Sequence, residues 1–251
     1  MVLARVLGLA LAGFAGAGSA RVVPPSVLPG LGPEALRGAV DVDSPPWRGV
    51  VRVQTEIGLH CSGALIGARL VLTAAHCLYG RSTGHLVRPG SIHVLAGYDR
   101  GTFTGHARAV ALTVGSGYGV GMDMQPLPSA PPDADWAVLS LDAPLGTPDR
   151  ALPMLRWVPP AGTPAMLGGY EQDRGQAMIA DRDCAVIGIA RDPSGHTMLR
   201  HSCAATRGAS GAPLLVRGLD GSWGVIGVAS RAILGATGGF AVPVSAITVP
   251  R

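Results

Sequence analysis

The sequence predicts an all-β fold, and three observations carry the prediction. Short runs rich in Val, Leu, Ile and Ala recur at close spacing, each broken by Gly or Pro, which is the texture of a barrel or a sandwich. No long run carries the 3.6-residue apolar period of an amphipathic helix. A proline-rich bridge, Trp157-Val158-Pro159-Pro160, divides the runs into two sets. Of the 251 residues, those left after a targeting segment suit one large all-β domain or two small ones sharing a cleft.

From the start of the chain, Met1 to Ala20 holds one early cation, Arg5, an apolar stretch from Val6 to Ala15 and the small-residue end Gly18-Ser19-Ala20. This is the pattern of a secretory signal peptide, residues 1–20, cleaved after Ala20. The apolar run is too short to span a bilayer as a helix, so the expectation is a secreted or periplasmic product with no stable membrane insertion once the signal is removed. Residues 21–44, with Val22-Val23-Pro24-Pro25 and Leu28-Pro29-Gly30, carry no sustained period. They are expected to be a propeptide or an irregular N-terminal arm lying on the domain. The first unit, residues 45–155, contains strand-like runs at Gly49 to Thr55, Gly63 to Leu72, Ser91 to Ala96, Arg108 to Val114 and Trp136 to Leu141. The second, residues 156–251, contains Pro164 to Gly169, Gln176 to Ala180, Cys184 to Ile189, Met198 to Ser202, Pro213 to Arg217, Trp223 to Ser230 and Gly239 to Pro243. Val244 to Val249 leaves room for a last helical turn.

The formal charge is +4 and the isoelectric point about 9.2, yet the arginines are scattered and no basic run exists, so nucleic acid is not an expected partner. Four cysteines in an exported chain point to two disulfides rather than a metal site, and no Cys-x-x-Cys pair is present. No cofactor is expected.

Two blocks carry chemistry. Thr73-Ala74-Ala75-His76-Cys77 follows the Cys61-Ser62-Gly63-Ala64-Leu65-Ile66 run, and Gly208-Ala209-Ser210-Gly211-Ala212-Pro213-Leu214 lies in the second unit. A hydroxyl is a poor nucleophile at neutral pH unless a base takes its proton, so a histidine and a serine in constrained small-residue settings belong together. Of seven histidines, the others, including His60, His85 and His201, lack such a setting. Asp135 opens the apolar run Asp135-Trp136-Ala137-Val138-Leu139, which buries a carboxylate where it can orient an imidazole. Asp133, behind Pro131-Pro132, and Asp123 are weaker competitors.

These blocks, in the order His, Asp, Ser, resemble those of the chymotrypsin-like serine peptidases. The setting of the second block, with Cys203 seven residues before Ser210, is similar to the bacterial glutamyl-endopeptidase-like branch. The resemblance covers roughly residues 45 to 247. It implies two antiparallel six-stranded β-barrels with the active site in the groove between them, and a monomeric exported endopeptidase acting on protein or peptide substrates. His76 is then the general base, Asp135 its orienting carboxylate and Ser210 the nucleophile, with the N–H groups of Gly208 and Ser210 forming the oxyanion hole. The resemblance also implies a Cys61–Cys77 bridge behind His76 and, with it, the pairing of Cys184 with Cys203.

The resemblance places the substrate pocket near Ala204, Ala205 and Ser230, with Ser230 also buttressing Asp135. No aspartate stands there to receive a lysine or arginine. Ala229 occupies the position where a glutamyl endopeptidase carries histidine, and Arg231 reads as a solvated loop residue. A small or apolar residue before the cut is therefore expected. Ala209 stands where trypsin carries the aspartate that captures a newly cut N-terminus, so that activation switch cannot operate. The rival reading is a catalytically inactive binding module on the same fold. An α/β-hydrolase esterase is excluded, because it requires Ser before Asp before His and a Gly-x-Ser-x-Gly elbow, whereas Ala212 ends the present motif.

Overall fold

A computed structural model of the protein describes residues 28–33 and 36–250; the signal-peptide expectation falls outside them. Strands β2 (Val50–Thr55), β3 (His60–Gly67), β4 (Leu70–Thr73), β5 (Ile92–Ala96), β6 (Gly105–Val114) and β7 (Ala137–Leu141) close into an antiparallel barrel in the order β2-β3-β4-β7-β6-β5. Strand β6 shows the alternation expected of a barrel wall, with Ala107 and Ala109 inward and His106, Arg108 and Val110 outward.

The second barrel is built from β8 (Pro164–Gly169), β9 (Ile179–Arg191), β10 (Thr197–His201), β11 (Pro213–Arg217), β12 (Trp223–Ala232) and β13 (Gly239–Pro243). Its order is β9-β10-β13-β12-β11-β8, and β8 pairs back onto β9 to close the ring. Leu167, Val186, Leu199, Leu214, Val216 and Ile226 fill its interior, and each such side chain contributes about 1.5–3 kcal/mol by leaving water. All the secondary structure between and around the strands consists of single 3-10 turns, including the expected one at the C-terminal end, Val244–Ala246. No helix among the described residues is long and apolar enough to cross a membrane.

Two strand expectations are corrected. The run Gly63 to Leu72 is a hairpin, turning at Ala68 and Arg69 between β3 and β4. Conversely, Gln176 to Ala180 and Cys184 to Ile189 belong largely to one strand, β9. The polar triplet Asp181-Arg182-Asp183 falls in the gap between the two expected runs, but Asp181 is buried and accepts the Ala204 N–H at 2.8 Å. Its carboxylate serves a neighbouring loop, so the strand continues through it.

The described part of the N-terminal arm is tied to the second barrel. Its two-residue strand β1 (Gly38–Ala39) pairs with Ile179 and Ala180 of β9. Upstream, the Gly30 N–H donates to Ile233 O at 2.7 Å and the Gly32 N–H to Thr237 Oγ1 at 2.9 Å, while Leu31 is fully buried. Gly30 has φ +80, and a Cβ there would stand 2.0 Å from Ala205 O, so the arm reaches the wall of the groove between the barrels. Cys61 is bonded to Cys77 and Cys184 to Cys203, and no free cysteine remains among the described residues.

Candidate active site

Strand β4 ends at Thr73, and the chain makes a 3-10 turn over Ala75–Leu78 that carries His76 to the groove. The turn is pinned from both sides. The Thr73 hydroxyl donates to Ser62 O at 2.7 Å, and Cys77 is bridged to Cys61 on β3. Asp135 stands between the 3-10 turn Pro132–Ala134 and β7, 2 % exposed. Its Oδ1 accepts the His76 backbone N–H at 2.9 Å and its Oδ2 faces His76 Nδ1 at 2.8 Å. The Ser230 hydroxyl, from β12 of the other barrel, donates to the same Oδ2 at 2.5 Å. The contact of Asp135 Oδ2 with Nδ1 fixes the Nδ1–H tautomer of His76 and leaves Nε2 as the basic nitrogen.

Burial works against charge on both partners, and their attraction outweighs it. The His76 imidazolium is disfavoured by burial and, less strongly, by Arg231, but Asp135 raises its pKa above the ordinary histidine value. The Asp135 carboxyl, also opposed by burial, is held below the ordinary aspartate value by His76 and by the hydrogen bonds from Ser230 and the His76 N–H. Tyr118 lines the same groove, and burial together with Asp135 drives its phenol well upward.

The serine loop is held by backbone bonds on nearly every side. The Ala209 N–H donates to Thr206 O, the Gly211 N–H to Ala229 O, the Ala212 N–H to Ala209 O and the Ser62 N–H to Ser210 O, all at 2.8–3.0 Å. Gly208 and Gly211 have φ of +94 and +81, a region that side chains other than glycine's rarely enter. A Cβ on Gly211 would also stand 2.2 Å from Ser62 O. The Ser62 hydroxyl accepts the Tyr170 N–H and donates to Gly208 O, each at 2.8 Å. The Arg207 carbonyl accepts the Gln172 N–H at 2.7 Å. A trans peptide directs its N–H opposite to its C=O, so the Gly208 N–H points away from Gln172. Among the described residues, neither it nor the Ser210 N–H has an acceptor.

His76, Asp135, Ser210, Ala205 and Ser230 line one groove between the barrels. Ser210 Oγ makes no hydrogen bond to His76 among the described residues. Ala204 is not in the groove wall: it is buried, with its N–H committed to Asp181, so the pocket wall begins at Ala205. His201 on β10, set aside on sequence for want of a constrained setting, lines the groove, and Arg231, exposed as expected, stands on strand β12 rather than in a loop and lines it too. His201 is 4 % exposed, neither ring nitrogen has a hydrogen-bond partner among the described residues, and burial lowers its pKa to about 4. Beyond Ala229, no strand among the described residues pairs with the edge of β12 that faces away from β13, which leaves Ser230, Arg231 and Ala232 along the groove. His76, Cys61 and Cys77 also lie close together, but both sulfurs are bonded to one another and cannot act as thiolate ligands.

The family model described as Trypsin matches residues 38–249. The chain belongs to the trypsin family. A solved structure described as a Glu endopeptidase in complex with MPD superposes with a TM-score of 0.66 over 84 % of this chain and 91 % of that chain, at 19 % identity. At that identity the likeness shows the fold, the chymotrypsin-like double barrel. No curated protein gives a significant match. Membership of this family supports a peptidase.

Proposed function

We propose that the protein is an exported serine endopeptidase that cleaves peptide bonds through an acyl-enzyme. The observation that supports this most directly is the coupling of His76 to Asp135 beside Ser210, together with two N–H groups, of Gly208 and Ser210, that have no acceptor of their own. In this reading His76 Nε2 takes the proton of Ser210 Oγ as the oxygen attacks the scissile carbonyl. Asp135 stabilises the imidazolium, and the two N–H groups receive the oxyanion. The tetrahedral intermediate collapses as His76 returns the proton to the leaving amine. Water, deprotonated by the same nitrogen, then hydrolyses the ester on Ser210. The unpaired edge of β12 receives the substrate as an added strand.

The groove's polar groups favour an acidic side chain before the cut over the small or apolar one expected from the sequence. His201 and Arg231 both reach it, and His201 has two nitrogens without partners. A buried imidazole that gains a carboxylate partner gains a hydrogen bond that nothing else in the fold provides. Two disulfides fit an oxidising compartment, and export to the periplasm or the medium is part of the reading.

The experiment is labelling of the purified protein with a fluorophosphonate probe, beside Ser210→Ala, with mass-spectrometric mapping of the adduct and profiling of cleavage in a peptide library. Stoichiometric labelling at Ser210, absent from the variant, is the expected result. Folded, oxidised protein that does not label favours the rival reading, an inactive binding module on this fold.

A further inference from the structure

Behind the serine loop lies an ion pair that the mechanism above does not use. Glu171 is fully buried, and its Oε2 meets Nη1 of Arg37, a residue of the N-terminal arm whose side chain is itself only 4 % exposed. Arg37 also donates to Asp173 Oδ1 at 3.2 Å. Among the described residues Glu171 Oε1 has no hydrogen-bond partner, so Arg37 is the main compensation they offer for a carboxylate held out of water.

The pair bears on the serine loop at three points. The Gln172 N–H, one residue on, holds the Arg207 carbonyl at 2.7 Å. The backbone of the same segment packs against Gly208 so closely that a Cβ there would stand 2.3 Å from Tyr170 O and 3.1 Å from Glu171 Cα. The Thr206 N–H favours the ionised Glu171 carboxylate. The carboxylate therefore sits where the segment 170–172 grips the peptide that orients the Gly208 N–H. With Ala209 before Ser210, this loop has no carboxylate of its own at that position.

We propose that Arg37 is a positioning residue for the oxyanion loop: its cation fixes the buried Glu171 carboxylate, which keeps segment 170–172, and through it the Arg207–Gly208 peptide, in the orientation that catalysis needs. The proposal rests on the peptidase reading. On this proposal residues 36–44 belong to an arm of the working protein rather than to a propeptide ending at residue 44, which would carry the cation away.

Burial raises the Glu171 carboxyl to about 8 even against the pull of Arg37; Asp173 adds to the rise, and the Thr206 backbone and Arg174 oppose it less strongly. Removing Arg37 pushes that carboxyl higher still, so the two proteins diverge as pH passes the range in which the unaltered Glu171 ionises against Arg37, where burial opposes the variant's unpaired charge. A loss of mere packing has no such pH signature.

The test uses the full chain carrying Arg37→Met and, separately, Arg37→Met with Glu171→Gln. Fluorophosphonate labelling of Ser210, and kcat and KM on a peptide substrate, are measured from pH 6 to 9 as ratios to the unaltered protein. For Arg37→Met the expected result is a kcat ratio of roughly one tenth near neutrality, a smaller loss than the roughly 100- to 1,000-fold cost of removing an oxyanion donor outright, with KM little changed and the ratio falling further as pH rises past about 8. The double variant recovers part of the loss and its ratio is flat with pH. If Arg37→Met does not fold, recovery of folding and a flat ratio in the double variant support the proposal. An Arg37→Met kcat close to that of the unaltered protein, or an equal and pH-independent loss in both variants, overturns it. Unaltered protein that neither labels nor cleaves overturns the peptidase reading and this proposal with it, a result distinct from an active protein that is indifferent to Arg37.

Discussion

Replacing Ser62 by alanine removes a single oxygen from a closed site and tests how the two barrels hold the serine loop. That hydroxyl, fully buried on β3 of the first barrel, accepts the Tyr170 N–H and donates to the Gly208 carbonyl, both in the second barrel's half of the molecule and both at 2.8 Å. Ser62→Ala strands one buried donor and one buried acceptor. Each orphaned group costs about 1–3 kcal/mol, so the sum is about 2–6 kcal/mol. For a domain of this size, about 2–4 °C of melting temperature is lost per kcal/mol, giving a fall of roughly 4–24 °C. The assay is thermal and urea unfolding with both disulfides intact, run beside kcat and KM. The account expects kcat to fall with stability, because the Gly208 carbonyl loses its tie while His76, Asp135 and the pocket wall are untouched. A stability change below about 0.5 kcal/mol, the scale of an ordinary surface substitution, refutes the reasoning.

Three further predictions follow from the same geometry. Gly208→Ala places a Cβ 2.3 Å from Tyr170 O in a φ of +94, so the peptide must turn; kcat on a peptide substrate falls roughly 100- to 1,000-fold, as for loss of one oxyanion donor. The acid limb of kcat against pH has its midpoint above the ordinary histidine value, because Asp135 raises His76. Activity appears as the imidazole loses its proton, whereas the stability drawn from the raised pKa is complete below the unfolded value and is lost as pH rises through the folded one. Asp135→Asn lowers the acid-limb midpoint and cuts kcat by about four orders of magnitude, since it favours the wrong tautomer; a pH–rate profile of both proteins checks both statements. Replacing Cys184 and Cys203 together by serine opens a loop with a sequence separation of 19 and costs about 3 kcal/mol in the chain-entropy model, measurable by urea unfolding of the variant under oxidising conditions.

Much of the site was legible because its signals are local. His76 and Ser210 each sit among small residues that leave room for a functional side chain and permit a tight turn, and Asp135 opens the apolar strand that buries it. Ser230 was legible only through the family resemblance, and its bond to Asp135 Oδ2 agrees with it. The strands with plain boundaries, β8, β11 and β13, were read in full from their flanking Gly and Pro residues. Where the reading went astray, a distant partner overrode the local pattern. Residues 181–183 fell in the gap between two expected runs, and the bond from the Ala204 N–H accounts for the Asp181 carboxylate inside β9. Ala204 and Ala205 looked equivalent, but the same bond turns one away and leaves the other in the groove. His201 resembled a structural histidine, and only the pairing of β10 with β13 brings it beside Gly239 and the groove. Arg37 and Glu171 are 134 positions apart, and no spacing rule joins an arginine in an irregular arm to a glutamate after a strand.

The central claim is that Ser210 is a nucleophile activated by His76 and served by the N–H groups of Gly208 and Ser210. The most direct measurement is a crystal structure of the protein after reaction with a phosphonate inhibitor. The account predicts phosphorus bonded to Ser210 Oγ, one phosphoryl oxygen within hydrogen-bond distance of both N–H groups, and His76 still bonded to Asp135. An unmodified Ser210, or an adduct whose oxygen turns away from Gly208, contradicts it.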